Sequence, residues 1–317
     1  MRGPKLKSQR HHWWPECLSE SWKDSKGCVT RIAPASEIRS APPKNWGVIQ
    51  NAHLIKIADD PNAFNPWDES YEHQFQRADD NFPRVIRWLE ATFGEDRRDL
   101  KTLGARFVPQ QVEDDIFNCL IECVVSLAAR SPRTRDRAVS LAEHLRGPLP
   151  ERKRNGLIGL NIRHFHRDVV KAAGGRGKIA VLYSPEQEFI FGDGFYHNLT
   201  TPPTPPHAPM IVAPLTPNIT VLYARPLRYL TSPRLCTLIV TDEEVEALNN
   251  AVQVHSSKMI FYRNQKPKLI EAFQQERHLI YASTENFPDH LIHSVPGIPD
   301  RNREMERWLK ELSSPDR

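Results

Sequence analysis

The spacing of apolar residues changes from a helical to a strand period near Gly177. Before this point, apolar side chains recur at helical spacing over residues 68–93, and residues 112–129 are apolar on nearly every side. Residues 134–145 and 157–173 continue the helical pattern. After it come short apolar runs between prolines and glycines, at residues 178–183, 188–191, 210–212, 219–223 and 236–240. Because helices and strands occupy separate parts of the chain, the pattern predicts an α+β fold, with a helical middle and a strand-rich C-terminal half packed as one core.

The remainder of the C-terminal half predicts a few further elements. Thr241 and Glu244 have the spacing of a capping box, which opens a helix through residue 254. We expect a strand at 258–262, a short helix at 268–275 and a terminal helix at 303–312. Prolines predict an exposed loop at residues 200–209. The favoured organisation is a single α+β domain over residues 1–317, with residues 263–317 as a C-terminal helical extension. The alternative is a helical and a strand-rich subdomain that share one core.

Three tryptophans lie close to the start of the chain, at Trp13, Trp14 and Trp22, together with Leu18. Chain ends are usually polar and frayed, so these large apolar side chains predict an N-terminal segment that is docked into the fold. Residues 23–27 then have turn composition and precede a short alternating run, which predicts a small N-terminal hairpin.

The bulk composition is that of a globular chain. Its hydrophobic content of 39% is enough for a substantial core. No run reaches the roughly 18 apolar residues of a membrane helix, and the first residues lack the apolar stretch of a secretory signal. We therefore expect a cytoplasmic protein that does not bind a membrane. The five cysteines are scattered without a CxxC pair, which predicts reduced thiols rather than a disulfide scaffold.

Arginines cluster at residues 97–98, 133–137 and 152–154, and the formal net charge is +4. Such clusters can contact phosphates, so nucleic acid is a candidate partner. Acidic residues lie near each cluster, however, and favour an ordinary solvated surface.

Two pairs of polar residues carry candidate chemistry in the N-terminal half. Glu72 and Asp79 lie seven positions apart on the first long helix, so they project from nearly the same face. They could converge on a cation, or form the solvated flank of an amphipathic helix. His11 and His12 point to opposite sides of an extended chain. His12 shares the phase of Trp14, so we select it as a base or metal ligand, with a packed structural role as the alternative, and expect His11 at the periphery.

Asp193 lies between two glycines where a predicted strand ends. A carboxylate in such a turn suits catalysis or metal binding, although turn composition explains it equally well. His164 and His166 resemble a metal motif but do not share a helical face, and His290 and His293 are neighbours only if their segment is helical. The sequence has no nucleotide-binding glycine fingerprint, Gly-x-Ser-x-Gly elbow or His-Glu-x-x-His helix.

Several separated motifs follow one another over residues 10–262. They are His11-His12-Trp13-Trp14-Pro15 with Leu18 and Trp22, the helical acids Glu72 and Asp79, Arg130-Ser131-Pro132, Asp193 at a strand end, Pro214-Leu215-Thr216-Pro217, and Leu248-Asn249. In this order they resemble a bacterial family known as domain of unknown function family 4238. The family opens with Gln/His-His-x-x-Pro-x-x-x-Leu-x-x-Phe. The chain departs from the family at Asp193, where glycines replace the flanking Ser and Pro.

The resemblance implies that six polar residues share one site: His12, Glu72, Asp79, Arg130, Asp193 and Asn249. The three acids would hold a divalent metal, and His12 would act as the base. Arg130 would stabilise an anionic transition state and, with Asn249, complete the catalytic set. These parts predict a metal-assisted hydrolase of phosphodiesters or other esters, such as a nuclease-like effector. The alternative is a non-catalytic module that binds protein or nucleic acid.

Overall fold

The computed structural model describes residues 10–55, 69–199, 208–277, 279 and 286–299. The fold is α+β, with long helices in the middle of the chain and most strands in the C-terminal half, as predicted. The predicted terminal helix at 303–312 and most of the proline-rich loop lie outside the described residues. Within the described ranges, no helix combines the length and apolarity needed to cross a bilayer.

The helical elements agree closely with the apolar periodicity of the sequence. They are α1 (Glu16–Ser19), α2 (His73–Ala91), α3 (Leu103–Arg106), α4 (Asp114–Arg130), α5 (Pro132–Arg146), α6 (Glu151–Ala173), α7 (Asp242–His255), α8 (Glu271–Gln274) and α9 (Phe287–Ser294), with 3₁₀ turns at Glu20–Trp22 and Pro43–Asn45. The capping box of α7 is confirmed, because Thr241 Oγ1 accepts from the Glu244 amide at 3.4 Å and Glu244 accepts from the Thr241 amide at 2.9 Å. His290 and His293 lie on a helix, α9.

The strands form two larger sheets and two short ladders. They are β1 (Arg10–His12), β2 (Val29–Ile32), β3 (Ile38–Ala41), β4 (Val48–Gln50), β5 (Leu54–Ile55), β6 (Glu69–Ser70), β7 (Val108–Gln110), β8 (Lys178–Tyr183), β9 (Phe191–Gly192), β10 (Tyr196–His197), β11 (Met210–Thr216), β12 (Ile219–Ala224), β13 (Leu235–Ile239) and β14 (Ile260–Tyr262). The main sheet has the order β10-β11-β12-β8-β13-β7, in which β8 and β13 are parallel and the other neighbours antiparallel. The second sheet has the order β3-β2-β14-β9, and the ladders are β1-β4 and β5-β6.

Two strand predictions need correction. The N-terminal hairpin joins β2 to β3, whereas the turn at residues 23–27 connects a 3₁₀ turn to β2. The strand predicted at 188–191 is reduced to β9, which pairs with β14 over two residues. The backbone amides of Phe189 and Ile190 instead donate to the Pro217 carbonyl and to the side chain of Asn249. This segment therefore bonds to other groups instead of continuing a ladder.

One large hydrophobic cluster takes residues from both halves of the chain, including Phe82 and Leu120 from helices and Val181 and Leu222 from the main sheet. A smaller cluster lies where β5 meets the helical middle and contains Ile55, Tyr71, Phe75, Val139, Ile158 and Ile162. The segments that carry the candidate site meet beside this smaller cluster.

The N-terminal segment is docked into the core, as the tryptophans predict. Trp14 and Trp22 are fully buried, and Trp13 is nearly so. Trp14 stacks on Phe191 with ring centroids 4.4 Å apart, and Trp22 Nε1 donates to the Leu215 carbonyl at 3.1 Å. These contacts fix the position of β1, which ends immediately before Trp13.

Candidate metal centre

Two histidines and a glutamate meet beside the smaller hydrophobic cluster. His11 comes from β1, His53 precedes β5, and Glu72 lies at the N-terminal end of α2. One potential ligand atom from each residue lies within 4.8 Å of the others, which is close enough to share a metal ion. His53 Nδ1 hydrogen-bonds the Glu72 carboxylate, and His11 Nε2 lies 3.9 Å from the same oxygen.

The position of His11 follows from the packing of the residues after it. The Trp13 amide donates to the Gly47 carbonyl at 2.8 Å, next to the β1-β4 ladder. Gly47 has φ +67°, and a Cβ atom there would lie 2.5 Å from Trp14 Cβ. Only glycine fits this close approach, so Trp13 and Trp14 pack directly against the backbone before β4. This packing fixes the position of His11 in β1.

His53 is held by hydrogen bonds to its neighbours on both sides. The carbonyl of Ala52 accepts from Tyr71 Oη at 2.8 Å and from Arg135 Nη1 at 2.9 Å. The carbonyl of His53 accepts from the Tyr71 amide at 3.0 Å, and its own amide donates to Nδ1 of His11 at 3.3 Å. These hydrogen bonds fix the backbone on both sides of the His53 ring.

Burial decides the charge of the three groups. Burial, followed by the neighbouring His53, lowers the pKa of His11 to about 4. Burial also lowers the pKa of His53, against the opposing effect of Glu72. For Glu72, burial acts to raise the pKa, but the hydrogen bond from His53 and the electrostatic interactions with His53, His11 and Arg130 outweigh burial and lower the pKa. At neutral pH the site therefore has two neutral imidazoles and one carboxylate, which is the protonation state that binds metal.

The cluster is buried on its histidine side and open on its glutamate side. His11 and His53 are 2% and 1% exposed, whereas the Glu72 side chain is 44% exposed. Two imidazole nitrogens and one carboxylate oxygen are a ligand set that zinc and related divalent ions take, and exposure at one ligand leaves a path for water.

Asp79 and Arg130 form a separate, bidentate ion pair. Arg130 is fully buried at the end of α4, and its Nη1 donates to Asp79 Oδ2 at 3.0 Å while Nη2 bonds to Oδ1. The guanidinium lies 5.1 Å from the centroid of Phe75, a ring that also contacts His53. The pair is thus a neighbour of the metal-capable cluster, and the positive charge of Arg130 contributes to lowering the pKa of Glu72.

Asp193 lies directly after β9, at the strand end that the sequence predicts, and is 1% exposed. Its carboxylate accepts from the amides of Ser257 and Lys258 at 2.9 and 3.0 Å and from the Ser257 hydroxyl at 3.2 Å. Burial raises its pKa to about 6 although these hydrogen bonds oppose the change. In the described structure these contacts tie β9 to the segment before β14.

Asn249 has a similar connecting position on α7. Its side chain accepts from the Ile190 amide at 2.9 Å and donates to the Glu188 carbonyl at 3.0 Å. Among the described residues, no hydrogen bond or ion pair joins the side chain of Asn249 or Asp193 to Glu72, Asp79 or Arg130. The six residues that resemble the family's site therefore divide into groups, and a catalytic role for each remains a prediction.

The two adjacent histidines differ from their expected positions. His11 is not peripheral, because β1 turns its ring inward against His53 with the centroids 4.8 Å apart. His12 is half-buried on the other side of β1, with Nδ1 shielded and without a hydrogen-bond partner in the described structure. The prediction that His12 and Trp14 lie on the same side assumed an extended chain through both residues. β1 ends at His12, so the alternation of an extended chain does not continue to Trp14.

Sequence reasoning missed His53. The segment around it has mixed apolar spacing, and nothing in its local pattern marks the histidine. The available signal was a lone histidine beside the short apolar pair Leu54–Ile55, which is more often structural than metal-binding.

The structure also shows whether the cysteines are paired and where most of the clustered arginines lie. The cysteines are free thiols, as predicted. Arg97 and Arg98 pair with acids, Arg133 and Arg135 are buried, and Arg154 pairs with Asp136 and Glu143. Arg97, Arg98 and Arg154 therefore support the ordinary-surface alternative, whereas Arg133 and Arg135 belong to the interior and form neither kind of surface.

Comparison with known proteins finds no matching family model, no matching curated protein and no matching solved structure.

Proposed function

We propose that this protein is a metal-dependent hydrolase whose divalent cation binds to His11, His53 and Glu72. The observation that carries the proposal is the convergence of three ligand atoms within 4.8 Å, from two buried neutral imidazoles and one half-exposed carboxylate. Catalytic zinc sites use three protein ligands and leave a further position for water. The metal would lower the pKa of this water and supply the hydroxide that attacks the substrate.

The surrounding charge favours an anionic substrate. Arg135 is 7% exposed and donates to a backbone carbonyl, and within the described ranges no carboxylate pairs with it. Its positive charge contributes to lowering the pKa of His11 and His53. Asp79 and Arg130 neutralise each other. With a divalent cation bound, the positive charges would outweigh Glu72, which supports a phosphodiester or another anionic ester.

Metal binding would change one hydrogen bond at the site. Nδ1 of His11 accepts from the His53 amide at 3.3 Å, so the neutral ring has its proton on Nε2. Coordination through Nε2 moves that proton to Nδ1 and removes the acceptor. We therefore expect zinc to weaken the hydrogen bond of the His53 amide, and hydrogen exchange at this amide measures the change. Slower exchange with zinc than without it would contradict coordination through Nε2.

The non-catalytic alternative is less well supported. Trp13 and Trp14 are buried, so they cannot form the exposed apolar patch that a binding module would present. The resemblance of residues 10–262 to domain of unknown function family 4238 stays a proposal. If it holds, two residues of the metal centre, His11 and Glu72, belong to motifs of that family.

Metal content tests the proposal. The purified chain is loaded with zinc, dialysed and analysed for metal per chain, and its hydrolysis of bis(p-nitrophenyl) phosphate is measured. We expect one zinc per chain in the wild type and its loss in His11→Ala and His53→Ala. His164→Ala, at an exposed position of α6, is the matched control and should keep the metal.

His12→Ala tests whether His12, the histidine selected from the sequence, is itself a metal ligand. We expect it to keep zinc, because His12 lies outside the cluster that the structure describes. Folded wild-type protein without stoichiometric metal would overturn the metal centre, whereas bound zinc without phosphodiester hydrolysis would overturn the substrate assignment.

A further inference from the structure

A cavity lies between α5 and α6, and none of its described lining residues belongs to the metal centre. Its volume is about 350 Å³, and its lining includes Arg137 and Ala138 of α5, Asn161, Ile162 and Phe165 of α6, and Leu199. Pockets for small ligands have volumes of about 300–1,000 Å³. The cavity is near the lower end of this range, so its size suits a small organic molecule better than a nucleotide.

The floor of the cavity is apolar. Ile162 and Leu199 are 1% and 9% exposed, and Phe165 packs against the main core. These side chains are held by the surrounding structure, so the cavity would not collapse at little cost. An apolar floor of this kind favours an alkyl or aryl group over a hydrated polar one.

Among the described residues that line the cavity, Arg137 is the cation. Its guanidinium is exposed, and it has no ion pair in the part of the chain that the structure describes. The preceding arginines of α5 are directed elsewhere, because Arg133 donates to the Phe195 carbonyl and Arg135 to the Ala52 carbonyl. A guanidinium binds a carboxylate through two parallel hydrogen bonds. Because the described part of the lining supplies one cation, it suits a monoanion.

We propose that this cavity binds a medium-chain carboxylate, with the alkyl chain against Ile162, Phe165 and Leu199 and the carboxylate on Arg137. The proposal is independent of the metal centre, which lies on other elements. A fatty acid of intermediate length matches both properties of the described lining: its alkyl chain fits the apolar floor and its carboxylate fits the guanidinium of Arg137.

Calorimetric titration of the full chain with decanoate, below its micelle concentration, tests the proposal. We expect one site per chain, and octanoate should bind roughly fourfold weaker for each methylene removed. Arg137→Gln should weaken decanoate roughly tenfold or more. 1-Decanol has no charge, so it should bind the wild type and Arg137→Gln equally.

Two further variants separate the cavity from a general effect of charge or of unfolding. Arg146→Gln removes an arginine of the same helix that does not line the cavity, and it should bind decanoate like the wild type. Ala138→Leu places a larger side chain in the cavity and removes no core side chain, so it should abolish the binding of both decanoate and 1-decanol. Circular dichroism confirms that each variant is folded. Absent binding to the wild type, or wild-type binding by folded Arg137→Gln or Ala138→Leu, would overturn the proposal.

Discussion

At the residue scale, the buried guanidinium of Arg130 depends on the carboxylate of Asp79. Removing one partner of a buried pair leaves an uncompensated charge, which typically costs about 3–5 kcal/mol. Asp79 is 30% exposed, so we expect Asp79→Ala to lower the free energy of unfolding by about 3 kcal/mol, the lower end of that range. Arg98→Gln breaks exposed pairs and should cost less than about 1 kcal/mol. Urea denaturation measures both, and equal losses would contradict the role assigned to Asp79.

A second residue-scale prediction concerns His166 on α6. Burial, followed by the charge of Arg130, lowers its pKa to about 4, and its Nε2 atom has no hydrogen-bond partner among the described residues. The folded-state pKa lies below the unfolded value, so protonation favours the unfolded chain. Stability is therefore lost as the pH falls from about 6.5 to about 4.

His166→Phe should reduce this loss, because the replacement ring cannot be protonated and can keep the contact with Phe75. The free energy of unfolding, measured by urea denaturation at several pH values between about 4 and about 6.5, gives the slope for the wild type and the variant. A slope that His166→Phe leaves unchanged would show that another group causes the acid sensitivity.

At the element scale, the approach of Gly47 to Trp14 connects the β1-β4 ladder to the core. In Gly47→Ala, the new methyl group would meet Trp14 Cβ at 2.5 Å, in addition to the strain of φ +67°. Gly27→Ala is the matched control, since Gly27 has φ +76° but nothing within 4 Å of the added carbon. Left-handed strain alone costs about 1–2 kcal/mol, and we expect Gly47→Ala to exceed that range.

The same pair of variants tests how the anchor serves the site. We expect Gly47→Ala, under conditions where it is still folded, to bind zinc more weakly because β1 carries His11, whereas Gly27→Ala should bind zinc normally. Thermal unfolding and zinc titration measure the two effects. Similar losses of stability in both variants would show that the contact with Trp14 adds nothing to the strain.

Elements were predictable where the information is local. The apolar periodicity of α4 and the capping box of α7 depend on residues within the same segment, so both were found. The order of the main sheet depends on partners far apart in the chain, such as β7 beside β13, and local patterns do not contain it. β7 also carries Pro109, which suits its place at the sheet edge but weakens a strand prediction.

At the scale of the whole molecule, the candidate site brings together segments that are separate in sequence. His11 and His53 are 42 positions apart, and the hydrogen bond between them forms only because the N-terminal segment docks. Glu72 was selected from helical spacing with Asp79, but in the structure the two bind different partners, His53 and Arg130. Residue type and spacing therefore identified one of the three residues of the centre, Glu72, while the fold determined that His11 and His53 meet it.

X-ray absorption spectroscopy of the zinc-loaded protein identifies the atoms that bind the metal. We expect zinc coordinated by nitrogen and oxygen at about 2.0–2.1 Å, with the outer-shell scattering of two imidazoles. His53→Ala should reduce the imidazole signal or abolish binding. Zinc with sulfur ligands at about 2.3 Å would place the metal on the free cysteines instead, and would contradict a centre formed by His11, His53 and Glu72.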